Sequence, residues 1–287
     1  MEIITSVSMM QQNCLKLHRA GKKIAFVPTM GWLHEGHLSL LREGRRRGDV
    51  LVLSIFVNPT QFGANEDLES YPRDLSRDAA LAESVGTDLI FAPDAVEMYP
   101  RGYASYVDVE GLTESLCGAA RPGHFRGVTT VVSKLFAIVQ PQVAFFGQKD
   151  FQQLAVIRRM TLDLNLPVEI VGLPIVRETD GLAMSSRNVY LTPDLRRQAL
   201  VLSRALATAR QLVGKGETDV ARVLADLRQM IASEPAARID YIELCHQFTL
   251  QPQQQVDADS VLLLAVFLGE TRLIDNGLLR EAANSPL

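Results

Sequence analysis

Five short apolar runs, at 22–27, 49–57, 88–92, 143–146 and 168–171, alternate with stretches of helical spacing, and that alternation leaves few folds open. The second run (Asp49-Val50-Leu51-Val52-Leu53-Ser54-Ile55-Phe56-Val57) is apolar almost throughout, the pattern of a strand covered on both faces in a parallel sheet. Helices are expected over 7–20, from residue 38 to about 47, and over 75–84, 128–139 and 151–164, with an edge strand at 106–109 and a loop at 118–127. Strands and helices taken in turn imply right-handed βαβ crossovers. The predicted fold is α/β, a Rossmann-like open parallel sheet with helices on both faces. After residue 177 the texture changes. A turn at 178–181 precedes a helix from the Thr192-Pro193-Asp194 cap to about 213, another over 220–231, and strands at 239–244, 261–267 and 271–275. Residues 1–176 are therefore read as the sheet domain and 177–287 as a smaller C-terminal α+β domain. The Gln-rich stretch 251–255 is a short polar connector, and no internal repeat is visible.

Ligands of open α/β sheets bind beyond the carboxyl ends of the strands, so the residues directly after each run matter most. After the first come Pro28-Thr29-Met30-Gly31-Trp32-Leu33-His34-Glu35-Gly36-His37-Leu38. Two imidazoles and two glycines lie where strand becomes helix, a place with unpaired amides and the positive end of a helix dipole. Imidazoles there can donate to phosphoryl oxygens as charge builds. The competing reading of a lone histidine is a solvated turn residue; a pair flanking Gly36 is harder to read that way. Zinc is disfavoured, because His-Glu-x-x-His needs its histidines four apart on a continuous helix and these are three apart. Neither a Gly-x-Gly-x-x-Gly fingerprint nor a P-loop is present. A second candidate phosphate loop, Met184-Ser185-Ser186-Arg187, carries two hydroxyls and a planar guanidinium. Alone it reads more readily as a solvated hinge with one surface arginine.

Composition excludes more than it assigns. A formal net charge of −4 gives no electrostatic case for nucleic acid or an acidic membrane. No apolar run has the length to span a bilayer. Cys14, Cys117 and Cys245 are widely spaced and odd in number, which argues against a disulfide framework and suits a reducing cytoplasm. No secretory signal is apparent at the N-terminus, so a cytoplasmic protein is expected.

The motifs, taken in order, resemble one family. Pro28-Thr29-Met30-Gly31 with His34-x-Gly36-His37, Ser54-Ile55-Phe56-Val57-Asn58-Pro59-x-Gln61-Phe62, Arg121-Pro122-Gly123-His124-Phe125-Arg126-Gly127-Val128, Phe146-Gly147-x-Lys149-Asp150-x-Gln152-Gln153 and Asp180-Gly181-Leu182-Ala183-Met184-Ser185-Ser186-Arg187-Asn188 are similar to those of the pantoate–β-alanine ligases. These belong to the nucleotidyltransferases that share a His-x-Gly-His motif. The resemblance spans essentially the whole chain, to Arg272-Leu273-Ile274-Asp275-Asn276.

It implies an ATP-dependent, AMP-forming ligation through a pantoyl adenylate, with Mg2+ present, pantoate and β-alanine as substrates, and a homodimer. It further implies that His34, His37, Lys149 and Arg187 serve catalysis at the triphosphate, His37 as proton donor, with Ser185 and Ser186 beside them. Met30, Gly147, Asp150, Val176 and Met184 would complete the ATP site. Gln61 and Gln153 would hold pantoate, Gln61 also touching β-alanine. Asp78 is the candidate magnesium ligand, against the alternative of a solvated helix-surface carboxylate; Arg121 and His124 lie in a loop that could meet β-alanine or phosphates. Trp32, Thr60 and Gln148 depart from the family's common residues without removing any of these groups. Two other readings stand beside it: a nucleotidyltransferase acting on a phosphorylated acceptor, and a nucleotide-binding regulator without turnover. Two neutral glutamines at the acceptor favour a carboxylate over a phosphate.

Overall fold

The computed structural model describes residues 1–64 and 66–280. Its elements in chain order are β1 (Glu2–Ile4), α1 (Val7–Arg19), β2 (Ile24–Thr29), α2 (Glu35–Arg47), β3 (Val50–Ile55), α3 (Leu75–Ser84), β4 (Leu89–Phe91), α4 (Ala95–Met98), α5 (Leu116–Ala120), α6 (His124–Val139), β5 (Val143–Gly147), α7 (Phe151–Asp163), β6 (Glu169–Leu173), α8 (Pro193–Ala199), α9 (Val201–Gly214), α10 (Val220–Ala232), β7 (Ala237–His246), β8 (Ser260–Leu268) and β9 (Thr271–Leu278). They form two compact units. The first comprises Met1–Thr113, Arg121–Gln148 and Gln153–Pro174; the second comprises Glu114–Ala120, Lys149–Gln152 and the chain from Ile175 onward.

The first unit is built on a six-stranded sheet of order β1-β4-β3-β2-β5-β6, every pairing parallel. The buried strands alternate their side chains between two covered faces. Ala25 and Val27 of β2 join Leu38 and Leu41 of α2 in one core cluster. Phe26, pointing the other way, meets Phe136 of α6 edge-on at 6.4 Å. Sequential order reverses between β2 and β5, which is the topological switch point. Their pairing covers only Ala25–Val143 and Phe26–Ala144, although β2 runs on to Thr29 and β5 to Gly147. The carboxyl ends thus part where the first motif begins.

Three local expectations are corrected. Residues 106–109 form no strand, because the Val107 amide donates to Thr130 Oγ1 (3.0 Å) and its carbonyl accepts from Thr129 Oγ1 (2.6 Å), so α6 side chains take the groups a ladder would use. The 118–127 loop is helical at both ends, α5 covering it as far as Ala120 and α6 beginning at His124. The helix expected to reach 213 divides at Leu200, whose ψ of −12° flattens the turn.

The second unit folds its own core. β7, β8 and β9 form an antiparallel sheet, and its inward residues Ile242, Leu244, Leu262, Leu264 and Leu273 pack with Leu202, Leu206, Leu224 and Leu227 of α9 and α10. A two-residue turn opening on Gly269 (φ +58°) joins β8 to β9.

Candidate active site

The first motif begins where β2 ends. Thr29 Oγ1 donates to the Ser54 carbonyl (2.8 Å) and accepts from the Gly31 amide (3.2 Å). Gly31 (φ +86°) and Trp32 (φ +51°) both take left-handed torsions, a conformation open to glycine and uncommon for a bulky residue. Asp78 of α3 meets this turn: its two oxygens accept the amides of Trp32 and Leu33, each at 2.7 Å. Burial pushes the Asp78 carboxyl above its usual range, against the opposing pull of those amides and of Arg77. Leu33 is fully buried, and the next residue caps α2.

That cap is made of imidazoles. His34 Nδ1 accepts from the Gly36 amide (3.1 Å), and His37 Nδ1 accepts from the His34 amide (3.3 Å). The arrangement reproduces a capping box, with histidines in the places of Ser and Glu. The rings lie 4.0 Å apart between centroids, tilted 36°. A neutral imidazole that accepts at Nδ1 carries its hydrogen on Nε2. Both rings therefore hold Nε2–H donors at the start of a 13-residue helix, where the dipole favours an anion.

Gln61 follows β3 and is 9% exposed. Asn58 Nδ2 donates to its Oε1 (3.0 Å), and its Nε2 lies 3.3 Å from Met30 Sδ. Asn58 is held in turn by the Tyr99 hydroxyl (2.8 Å) and by the Gly127 carbonyl (3.1 Å). Gly127 has a steric reason: a Cβ there would lie 2.4 Å from the Thr60 carbonyl. Arg121 and His124 grip the same loop. His124 Nδ1 donates to the Gln61 carbonyl (2.9 Å), the ring's Nε2 accepting from Arg121 at 3.1 Å. Arg121 also pairs with Glu66 at 2.5 Å. Glu66 and Tyr99 carry no sequence signal, and Asn58 stands out only as part of the Ser54–Phe62 motif, with no role attached to it.

Glu66 supplies a pH test. Burial raises its pKa, but Arg121, aided by the Gly63 backbone bond and the nearby His124, brings the net shift downward from 4.5. A depressed carboxylate gives stability that is complete above its unfolded value and is lost as pH falls through the folded one. The melting-temperature gap between wild type and Glu66→Gln should therefore narrow as pH drops below 4.5. A gap constant from pH 7 to about 3 would contradict the pairing.

Within the second unit, Met184 donates its amide to the Val176 carbonyl (3.0 Å) and Glu178 to the Leu182 carbonyl (2.8 Å), closing a hairpin. Arg177 ties it down with a two-point pair to Asp275 (2.7 and 2.8 Å) and a bond to the Gly181 carbonyl (3.1 Å). Ser185 then caps a short 3-10 turn over Ser186–Tyr190 by accepting the Arg187 amide (3.2 Å). Lys149 and Asp150 lie in another 3-10 turn, Gln148–Asp150, where Asn276 Nδ2 donates to the Lys149 carbonyl (2.7 Å).

Of the residues expected from sequence, the first unit holds Met30, His34, His37, Gln61, Asp78, Gly147 and Gln153; the second holds Lys149, Asp150, Val176, Met184, Ser185, Ser186 and Arg187. His34 stands against His37, and Met30 against Gln61. Gly147 ends β5 beside the parted strands, and Gln153 is half-buried in the first turn of α7. Asp78 is neither solvated nor open, being 1% exposed. Among the described residues no group of three or more His, Cys, Asp or Glu could hold a metal ion, and no helix is long and apolar enough to cross a membrane.

Comparison with known proteins bears on the whole chain. The family model described as pantoate-beta-alanine ligase matches residues 2–278. The pantothenate synthetase of Syntrophotalea carbinolica is 62% identical, covering 98% of this chain and 99% of that protein. That of Trichlorobacter lovleyi is 63% identical over the same shares. The crystal structure of the Thermus thermophilus enzyme superposes with a TM-score of 0.93 at 48% identity, covering 97% of this chain and 99% of that one. The Francisella tularensis ligase, solved with beta-gamma ATP and β-alanine, gives 0.83 at 33% identity, covering 97% and 98%. A match of this extent in sequence and in fold leaves one assignment: the chain belongs to the pantoate–β-alanine ligase family.

Proposed function

We propose that this protein condenses pantoate with β-alanine to give pantothenate, a coenzyme A precursor, using ATP. A carboxylate is a poor acyl donor because oxide would have to leave. In the first step the pantoate carboxylate attacks the α-phosphorus of ATP, the bond to the bridging oxygen breaks, and pyrophosphate departs. The β-alanine amine then attacks the acyl carbon of the adenylate, loses a proton, and expels AMP. Catalysis of the first step is chiefly positioning and charge stabilisation.

The observation that carries this reading is the pair of Nδ1-anchored imidazoles at the start of α2, at the switch point of a parallel sheet. Their Nε2–H groups suit an oxyanion developing between the α- and β-phosphates. His34, His37, Lys149 and Arg187, with Ser185 and Ser186, are assigned to the triphosphate, and Met30, Gly147, Asp150, Val176 and Met184 to the remainder of ATP. Gln61 and Gln153 are assigned to pantoate, Gln61 also to β-alanine. Mg2+ prefers few protein ligands beside phosphate oxygens and water. The donor set fits an ion that arrives with the nucleotide better than one caged by carboxylates. A cytoplasmic homodimer is the accompanying proposal; light scattering tests the dimer.

ATP–pyrophosphate exchange with a panel of carboxylic acids tests the function. Exchange should depend on pantoate. Exchange supported equally by unrelated acids, or by none, would sink the assignment.

A further inference from the structure

We propose that Asp78 is a positioning residue for the phosphate-binding histidines, its carboxylate occupying a concavity of backbone amides that sets the torsions leading into the His34 cap. Two successive left-handed residues, Gly31 and Trp32, turn neighbouring amides toward one point, the geometry by which a main chain holds an anion. Here the anion is part of the protein. Asp78 accepts from Trp32 and Leu33 at 2.7 Å each, and a Cβ on Gly31 would stand 3.0 Å from its Oδ2.

The neighbouring side chain completes the hold. Arg77 donates to the Leu33 carbonyl (2.8 Å) and to Asp78 Oδ1 (3.1 Å). Its guanidinium also lies 4.7 Å over the Trp32 ring. Both backbone groups of Leu33 are thus fixed by adjacent residues of α3, and His34 is next in the chain. A left-handed torsion is unfavourable for a tryptophan. Charge-assisted bonds of this length, with a cation over the ring, are strong enough to offset it. An Asp78 so engaged acts through the turn and not as a metal ligand.

Asp78→Asn tests this, because an amide can keep one acceptor but sets an N–H against the second backbone amide. The kinetic readout rests on the ligase reading; the amide readout does not. With wild type as reference, pantoate-dependent exchange at saturating substrates should fall on the order of 10–100-fold, the scale for a misplacement near 1 Å. The Mg2+ concentration for half-maximal exchange should stay within about twofold, while amide hydrogen exchange at Trp32, Leu33 and Gly36 accelerates. Arg77→Met, which keeps the carboxylate, should show the same amide signature with a smaller loss of rate. Exchange within twofold of wild type, or a loss cured by added Mg2+, overturns the proposal. So does a slow variant whose Gly36 amide keeps its protection. Should Asp78→Asn fail to fold, Arg77→Met carries the same three readouts. If wild type shows no pantoate-dependent exchange, the ligase reading fails, and amide protection at Gly36 still decides the role of Asp78.

Discussion

Replacing His37 by alanine is expected to lower turnover about 10²–10³-fold, the effect of losing one donor aimed at transition-state charge. Under the proposed function the ring has two separable duties. Its Nε2–H would be the donor, and its Nδ1 accepts the His34 amide at 3.3 Å. On the proposed assignment, removing it takes away one phosphate donor; it also unties one half of the α2 cap. The loss should fall on kcat more than on KM for ATP, since an interaction made chiefly in the transition state leaves ground-state binding nearly unchanged. His37→Gln keeps an N–H donor and an acceptor and should recover part of the rate. Nitrogen chemical shifts of the two rings should show the hydrogen on Nε2 in both. Activity within twofold of wild type, or a hydrogen on Nδ1 of His37, would end the donor assignment.

The sheet was legible because its strands are nearly uninterrupted apolar runs and its helices carry clear 3.6-residue spacing. β2, β3, β5 and the helix at Leu75–Ser84 fall within a residue or two of expectation. β1 was not legible: it has three residues, two of them exposed, and exists by pairing with β4, 85 positions or more along the chain. The 106–109 segment misled for the opposite reason. Its alternation fits a strand, yet Thr129 and Thr130 of α6 compete for its backbone groups. At the site, the histidine pair announced itself because both partners lie within one turn of sequence. The support of Gln61 did not, because Asn58, Tyr99, Arg121 and Glu66 meet only after folding. Asp78 shows the limit most plainly. From sequence its carboxylate reads as a magnesium ligand or a solvated helix-surface group, and only the tertiary fold brings the Trp32 and Leu33 amides to it.

Truncating Arg177 to alanine should destabilise the second unit by about 3–5 kcal/mol, the cost of leaving a buried charge without its partner. Asp275 is 2% exposed and receives Arg177 through two parallel bonds. The Asn276 amide, at 2.8 Å from Oδ1, is a weak replacement for a guanidinium. The Gly181 carbonyl also loses its donor, so the hairpin before Ser185 loosens as well. For a chain of this size the loss corresponds to a fall in melting temperature of roughly 10 °C. Arg177→Lys preserves charge but not the fork, and should recover only a fraction. The sign of the effect depends on removing one partner alone. Replacing both, as Arg177→Met with Asp275→Leu, removes the unpaired charge and should restore most of the stability, since a buried pair is worth little more than apolar packing of equal volume. If the double variant melts as low as Arg177→Ala, the pair contributes more than compensation for its own burial. If Arg177→Ala melts within about 2 °C of wild type, the two-point contact does not hold this unit together.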